Sequence, residues 1–465
     1  MRSRKSRDSG FGVRNSGTAL VLVFVLANAA FAQDAQMPQM PATQQAPAAA
    51  QEGTVEQLVA MALERSPELR AARTAATVAA GEVMQAGLRP NPSLTTRQQA
   101  GSNINSTVVG VEWPLDLFRK ASRVDAAQKS ADATGFSIQD RERMLAFTVR
   151  QQAGRLLAAR RTLEITKEAL DAAQRTRQLL DAEVTEGGIP KIDANLAAVE
   201  SGRMEADMIL AQADVDSATI ELRALLGMEA NAPLVLRDTL ESLVKNSGQP
   251  SAGSGQPAEA SGQQGAEMPN MPNMPGMDMS KMAVAMRPDV KEATARVAAA
   301  TARVDSARQQ GRLDMAVVGN YDRQYLAFAG TPVQGTFHSV TFGATLVLPV
   351  RNKNQGALAA AEAERSGEEQ ALAAKQLVAQ AEIDAAMLRE REAHRAVDMY
   401  AANVRDLARQ NVDVELEAYD LGRTPLTDLL AEQRRYLDVE NGYTTLLSRA
   451  YDAQVELRAA RGETK

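Results

Sequence analysis

The chain has 465 residues, 45% hydrophobic but only 4% aromatic, with a formal charge of −6 and no cysteine. Without cysteine, no disulfide, thiolate metal site or N-terminal lipidation on Cys is expected, and the acidic balance is the wrong footprint for nucleic acid. Two histidines, His338 and His394, leave little scope for acid–base or zinc chemistry, and the scarce aromatics suit close packing of Ala-rich helices.

Residues 1–32 read as a secretory signal. Arg2, Arg4, Lys5, Arg7 and Arg14 make a basic start, Ala19–Ala29 an apolar core, and Ala30-Phe31-Ala32 an A-x-A cleavage site before Gln33. The alternative, an uncleaved anchor, meets an apolar core that is short for spanning. Residues 1–32 carry a net +4, so a chain starting at Gln33 would carry −10. No other run approaches the roughly 20 apolar residues of a transmembrane helix. A mature chain is therefore expected either free in the periplasm or as a β-barrel in the outer membrane.

Residues 33–53, rich in Gln, Pro and Ala, read as a flexible lead-in. A first repeat is expected over 54–244. It opens with a helix from Thr54 to about Leu88, stopped by Arg89-Pro90-Asn91-Pro92. Two strands follow between Ser93 and Trp113, around a turn at Gly101–Asn105. From Phe118 to Glu186 there is no proline, and Val149, Leu156, Leu163 and Leu170 recur every seven residues, with Gln152, Ala159, Thr166 and Ala173 three positions after each. That is a heptad seam, on a helix on the order of 100 Å long. Gly187-Gly188-Ile189-Pro190 reads as a helix–turn–helix tip, and the return helix is expected to reach Leu226.

Residues 245–282 read as a Gly/Ser/Pro linker carrying a Met-rich insert. A second repeat is expected over 283–462, with strands near Asp314–Tyr325 and Thr336–Leu348 and a longer hairpin loop at Ala329–Gly335. A long helix follows from Asn354 to Leu421, with Val397, Tyr400, Val404 and Leu407 at 3-4-3 spacing. The second tip is Gly422–Asp428, where Thr424 is expected to cap the helix that starts at Pro425 and reaches Arg461. The two repeats keep one register. An offset of 235 pairs Pro114 with Pro349, Gly187 with Gly422, Pro190 with Pro425, Asp193 with Asp428 and Gly227 with Gly462. An earlier offset of 221 pairs Ser66-Pro67-Glu68-Leu69 with Arg287-Pro288-Asp289-Val290. The chain is a duplication.

Four strands make an open ribbon with exposed edges. Alone they cannot span a bilayer, where every backbone polar group must be paired in a closed barrel. Several identical chains contributing to one barrel would close it, and about 12 strands would leave an open lumen. Val340, Phe342, Leu346 and Leu348 would then face lipid, and Thr341, Gly343 and Thr345 the lumen. The competing reading is a periplasmic coiled-coil scaffold, which has no need of the strands.

The phrase Leu348-Pro349-Val350-Arg351-Asn352-Lys353-Asn354-Gln355-Gly356 before an Ala-rich helix, its counterpart Trp113–Phe118, and the doubled Gly-x-x-Pro tips resemble the TolC-type outer-membrane efflux factors, most of all their heavy-metal branch. The resemblance covers roughly Thr54–Leu240 and Ala283–Arg461. It implies a homotrimer with four strands per chain in a 12-strand outer-membrane β-barrel, continuous with a periplasmic α-helical barrel. It further implies contact with outer-membrane lipid, a periplasmic adaptor docking at the tips, and an inner-membrane RND-type pump supplying energy. The chain would be a passive duct, neither an enzyme nor a cofactor carrier, held by its barrel alone since it has no lipid-bearing Cys. Carried over by position, adaptor contact and the tunnel mouth fall to Gly187, Gly188, Pro190 and Asp193, and to Gly422, Thr424, Pro425 and Asp428.

Met268, Met271, Met274, Met277, Met279, Met282 and Met286 crowd into 19 residues. Pro and Asn between them are expected to prevent a helix from burying these side chains. Thioethers are soft ligands suited to Cu(I) and Ag(I) and poor for Zn(II). The expected cargo is therefore copper or silver, the alternatives being organic solutes through the same duct and a linker that binds no metal. His338 and His394 are expected to be a strand-face and a helix-surface residue, not ligands.

Overall fold

The structure is a computed structural model that describes residues 51–101, 104–246, 279–327 and 334–464, all within the unit Ala48–Lys465. The signal segment, the linker over 247–278 with Met268 to Met277, and the hairpin tip at 328–333 lie outside the described residues.

The first repeat opens on a short strand β1 (Gln51–Gly53) and helices α1 (Val55–Arg65) and α2 (Pro67–Gly87). Thr54 and Gln57 close a reciprocal capping box: the Gln57 carboxamide oxygen accepts from the Thr54 N–H at 2.9 Å, and the Thr54 hydroxyl accepts from the Gln57 N–H at 3.4 Å. The single helix expected over 54–88 is two, because Pro67 drives Ser66 out of the helical region to ψ 124. Ser66 then caps α2 by accepting from the Leu69 N–H. Strands β2 (Ser93–Ala100) and β3 (Ile104–Pro114) lead into α3 (Lys120–Glu186), 67 residues and so about 100 Å long. Helix α4 (Lys191–Leu225) returns, followed by β4 (Leu234–Leu236) and α5 (Leu240–Asn246).

The second repeat runs α6 (Met279–Met286), α7 (Pro288–Gln310), β5 (Asp314–Ala327), β6 (Gln334–Val347) and α8 (Gln355–Tyr400). A π-helical turn at Ala401–Arg405 interrupts the helix expected to run unbroken to Leu421, and α9 (Asp406–Asp420) and α10 (Leu426–Ala460) complete the chain. β1 pairs in parallel with β4, Gly53 opposite Leu236. The tail end of the segment read as a flexible lead-in is therefore tied into the first repeat.

The heptad leucines carry the interior. Val149 and Leu156 are fully buried and Leu163 and Leu170 nearly so. Of the four partners expected three residues on, only Ala173 is buried; higher up the helix Ala146, Ala153 and Leu157 fill that place. The largest cluster joins these to Leu58 of α1, Leu222 of α4 and Leu447 and Tyr451 of α10. Leu407, expected in a seam with Val397, is instead exposed.

The four long strands form one antiparallel sheet in the order β2-β3-β5-β6. The β3–β5 pairing joins the repeats, with Val109 opposite Tyr321 and Trp113 opposite Val317. The β3 and β5 register places Leu94, Val111, Gly319 and Phe342 in one row and Trp113, Val317 and Ala344 in the next, all on one face. The opposite face carries Thr95, Gly110, Asn320 and Thr341 in a row, then Arg97, Val108, Asp322 and Ser339. The apolar face is the more open one. Along β3, Val109, Val111 and Trp113 are exposed while the intervening Gly110 and Glu112 are covered, the alternation of a sheet curled with its polar side inward. Val340, Phe342 and Leu346 share the apolar face, as the sequence pattern requires, and Leu348 lies one residue past the end of β6. Among the described residues no helix is long and apolar enough to cross a membrane.

Candidate functional site

Both tips are built by the same backbone device. At the end of α3, Gly187 adopts φ +80, its N–H donates to the Val184 carbonyl at 3.1 Å, and the Gly188 N–H donates to the Glu183 carbonyl at 2.9 Å. At the end of α9, Gly422 adopts φ +67, with Gly422 donating to Tyr419 at 2.8 Å and Arg423 to Ala418 at 2.9 Å. These are Schellman closures, in which a residue free of Cβ strain satisfies the orphan carbonyls of a helix end. Pro190 and Pro425 then start α4 and α10, and the N–H of Asp193 and of Asp428 each donates to the preceding proline carbonyl at 3.1 Å. Thr424 does not cap α10 as expected. Pro425 holds the cap position, and the Thr424 hydroxyl is buried without a hydrogen-bond partner.

The fold brings the two tips together. Leu180 of α3, Ala194 and Ala197 of α4, and Leu426, Leu429 and Leu430 of α10 form one buried cluster, with Val184, Ile189 and Tyr419 against it. Gly187, Gly188, Pro190, Gly422, Pro425 and Asp428 remain exposed beside it, and Asp193 is half-buried. The tip surface is acidic. Burial, then the carboxylates of Glu183, Asp193 and Asp420, push the Tyr419 phenol above its ordinary value. Basic partners near the tips are few: Arg177, paired with Asp181 at 3.6 Å, Lys191 and Arg423 against Asp181, Glu183, Glu186, Asp193, Asp413, Glu415, Glu417, Asp420 and Asp428.

Above the tips lies a belt that the sequence pattern did not reveal. The π-turn delivers Arg405 to Glu440, Nε to Oε1 at 2.6 Å, and Arg161 of α3 approaches the other oxygen at 3.4 Å. Both guanidinium carbons sit over the Tyr443 ring, 5.0 and 5.5 Å from its centroid. Glu440 is 4% exposed. Closer to the tips, Arg434 of α10 grips the buried Glu200 of α4 through two hydrogen bonds. Between belt and grip is a cavity of about 410 Å³ lined by Glu164, Glu168, Met204, Val412 and Leu437. A π-turn has no composition signature, so only the geometry exposes this arrangement.

Of the seven methionines, Met279, Met282 and Met286 stand in α6 itself, so the expectation that Pro and Asn keep this stretch from helix does not hold beyond Met279. Val284 of α6 is buried against Ile383 and Ala379 of α8 and Leu457 of α10. Met282 and Met286, four residues apart, are 57% and 58% exposed. Leu457 lies some 30 residues along α10 from the tip, roughly 45 Å away, so the methionines and the tips are separate sites. His394, expected at the helix surface, is half-buried and bonded through Nε2 to the Gln454 side chain at 2.7 Å. His338 lies on the strand face, its Nδ1 2.6 Å from the Tyr321 hydroxyl. Among the described residues no His, Asp or Glu cluster could hold a metal ion.

A two-faced sheet open at both edges, joined through short connections to helical stretches about 100 Å long that close at paired acidic tips, defines the outer-membrane efflux class. A sequence profile described as outer membrane efflux protein matches residues 58–228 and 279–463. The chain belongs to that family, as its resemblance to the TolC-type factors requires. A curated relative, the cobalt-zinc-cadmium resistance protein CzcC of Cupriavidus metallidurans, is 26% identical over 176 residues, 37% of this chain and 42% of the relative. Among solved structures the fold matches CusC, studied for transmembrane channel formation, with a TM-score of 0.69 and 18% identity over 93% of this chain and 99% of that one. It likewise matches the outer membrane protein VceC of Vibrio cholerae (0.66, 18%, covering 88% and 96%) and the open state of the outer membrane channel MtrE of Neisseria gonorrhoeae (0.67, 17%, covering 88% and 89%).

Proposed function

We propose that the chain is the outer-membrane exit duct of a tripartite efflux system, a homotrimer whose four-stranded sheets close into a 12-strand barrel. The observation that carries this is the sheet itself. Its apolar face is open, its polar face is covered along the central strands β3 and β5, and its edges β2 and β6 have no partner among the described residues, a combination that costs heavily in water and resolves when copies pair edge to edge in lipid. The duct does no chemistry. A periplasmic adaptor docks at Gly187, Gly188, Pro190 and Asp193 and at Gly422, Thr424, Pro425 and Asp428, and an inner-membrane RND-type pump supplies the energy. The acidic surface around these tips lines the tunnel mouth and favours cationic cargo.

The cargo is a heavy-metal ion. The likeness to a cobalt-zinc-cadmium resistance protein supports the metal class, and the soft thioethers of Met268 to Met286 favour Cu(I) and Ag(I) within it. The test is metal tolerance of cells whose chromosomal copy lacks residues 266–278, ahead of α6 with its buried Val284, alongside cells lacking the whole chain. Loss of copper and silver tolerance in both supports the reading. Loss only of zinc and cobalt tolerance in the full deletion overturns the copper assignment, and loss of organic-solute tolerance alone overturns the metal cargo.

A further inference from the structure

Toward the hairpin turns the apolar face gives way to polar rows, the last of them Ala100, Asn105, Tyr325 and Thr336. Gln98, Thr107, Arg323 and His338 lie side by side across all four strands, directly beyond the row Thr96, Val109, Tyr321 and Val340. The helices leave the sheet at its other end, so this row lies toward the hairpin turns. Arg323 is nine residues beyond the start of β5 at Asp314, about 30 Å along the strand. At the ~40° tilt of closed barrels that is about 23 Å of height, close to the ~25 Å apolar band of outer-membrane barrels. On the duct reading, on which this inference rests, the row sits where the outer leaflet's acyl chains meet its headgroups.

Among the described residues no Asp or Glu stands on this face, and Arg323 joins no ion pair. Directly opposite it is His338, so the one cation of the face has a hydrogen-bonding ring and no carboxylate as its cross-strand neighbour. His338 is held in place: its ring stacks on Tyr321 at 5.9 Å between centroids, and Nδ1 meets the Tyr321 hydroxyl at 2.6 Å. In the tautomer whose Nδ1 accepts from the Tyr321 hydroxyl, Nε2 carries the ring proton and is a donor on the strand next to Arg323. A planar fork and an adjacent N–H on an otherwise uncharged surface at headgroup height match a phosphate ester. We infer that Arg323 and His338 form a binding site for the phosphate of a phosphorylated glycolipid in the outer leaflet, one site per chain.

The experiment uses the full assembled protein in phosphatidylethanolamine liposomes containing bisphosphorylated lipid A or its dephosphorylated form. Native mass spectrometry after gentle extraction reads the retained lipid. The bisphosphorylated form is expected to be retained at least tenfold better. Arg323→Gln with His338→Gln is expected to abolish that preference with insertion and oligomeric state unchanged, and Arg323→Lys to keep part of it. Equal retention of the two lipids, or a preference that survives the double substitution, overturns the site while leaving the duct reading intact. Displacement of the lipid by millimolar inorganic phosphate overturns the lipid as ligand. A protein that does not insert at all overturns the duct reading and this inference with it.

Discussion

Asp289, at the start of α7, offers the sharpest test of how the second repeat is fastened. Its carboxylate accepts from Arg287 Nε at 2.9 Å and from the second guanidinium nitrogen at 2.8 Å, and from the Val290 N–H at 3.0 Å. Lys375 approaches at 3.3 Å from α8, and Arg287 reaches on to Glu382 of α8 at 2.7 Å and to the Ala460 carbonyl of α10. Both side chains of the pair are 3% exposed. Burial works against the charge, but the Arg287 hydrogen bonds and its positive charge, then Arg143 and Lys375, bring the carboxyl from 3.8 down to about 2. At 1.36 kcal/mol per decade that fall is worth ~2.4 kcal/mol. Asp289→Asn keeps the shape, removes the charge and leaves Arg287 leaning on the half-exposed Glu382 alone, so we expect a loss of 2–4 kcal/mol, on the order of what removing one partner of a buried pair costs.

The pH dependence follows from the lowered value. The unfolded carboxyl takes up its proton near 3.8, the folded one only near 2, so the stabilisation is complete above about pH 4 and vanishes as pH falls through 2. Urea unfolding of wild type and variant, followed by helical circular dichroism from pH 2 to pH 7, should show curves far apart at neutral pH and converging toward pH 2. A gap below about 0.5 kcal/mol at pH 7, or one that does not shrink in acid, refutes this account.

Glu440→Gln leaves Arg405 without its ion-pair partner and Arg161 with Glu241 alone, at 2.8 Å, and should cost about 2 kcal/mol in the same urea assay; a neutral outcome means that Glu241 and solvent satisfy both arginines. Gly187→Val and Gly422→Val place a β-branched side chain at φ +80 and +67, each costing about 1–2 kcal/mol locally. Both should impair metal tolerance and adaptor cross-linking while membrane insertion is kept, and retained cross-linking would remove the tips from the docking surface. Phe342→Lys on the apolar sheet face should weaken insertion by about 2–4 kcal/mol near the bilayer midplane, whereas Thr341→Lys on the polar face should insert normally; equal insertion of the two would argue against a lipid-facing sheet.

The long elements were legible because they repeat. A proline-free run with an apolar residue every seventh position reads as a very long helix, and the shared Gly-x-x-Pro offset marks both tips in the sequence itself. Strand faces followed from the two-residue alternation of β6. The failures have physical causes. Pro67 reads equally as a helix start and as an interruption, and only the ψ of Ser66 decides. Three-residue strands such as β1 and β4 are too short to show a period, and their pairing spans more than 180 residues. The π-turn inserts a residue's worth of rotation with ordinary Ala, Asn and Val. Thr424 carries the right side chain for a cap, but the cap position falls one residue later. On the face of the sheet, alternation told polar from apolar, but the row formed by Arg323 and His338 appears only once four strands are in register.

The two free edges of the sheet are unequal: β2 has 8 residues and β6 has 14. In the trimeric barrel proposed above, with β6 of one copy paired to β2 of the next, about six residues of β6 would find no opposite number, roughly 20 Å of strand at 3.3 Å per residue. Such a cylinder would not have an even rim. Three tabs of strand would stand proud of three short seams, and their unclaimed amides and carbonyls would have to be met by water or by the neighbouring copy, which would make the seams, not the walls, the places where the ring first comes apart.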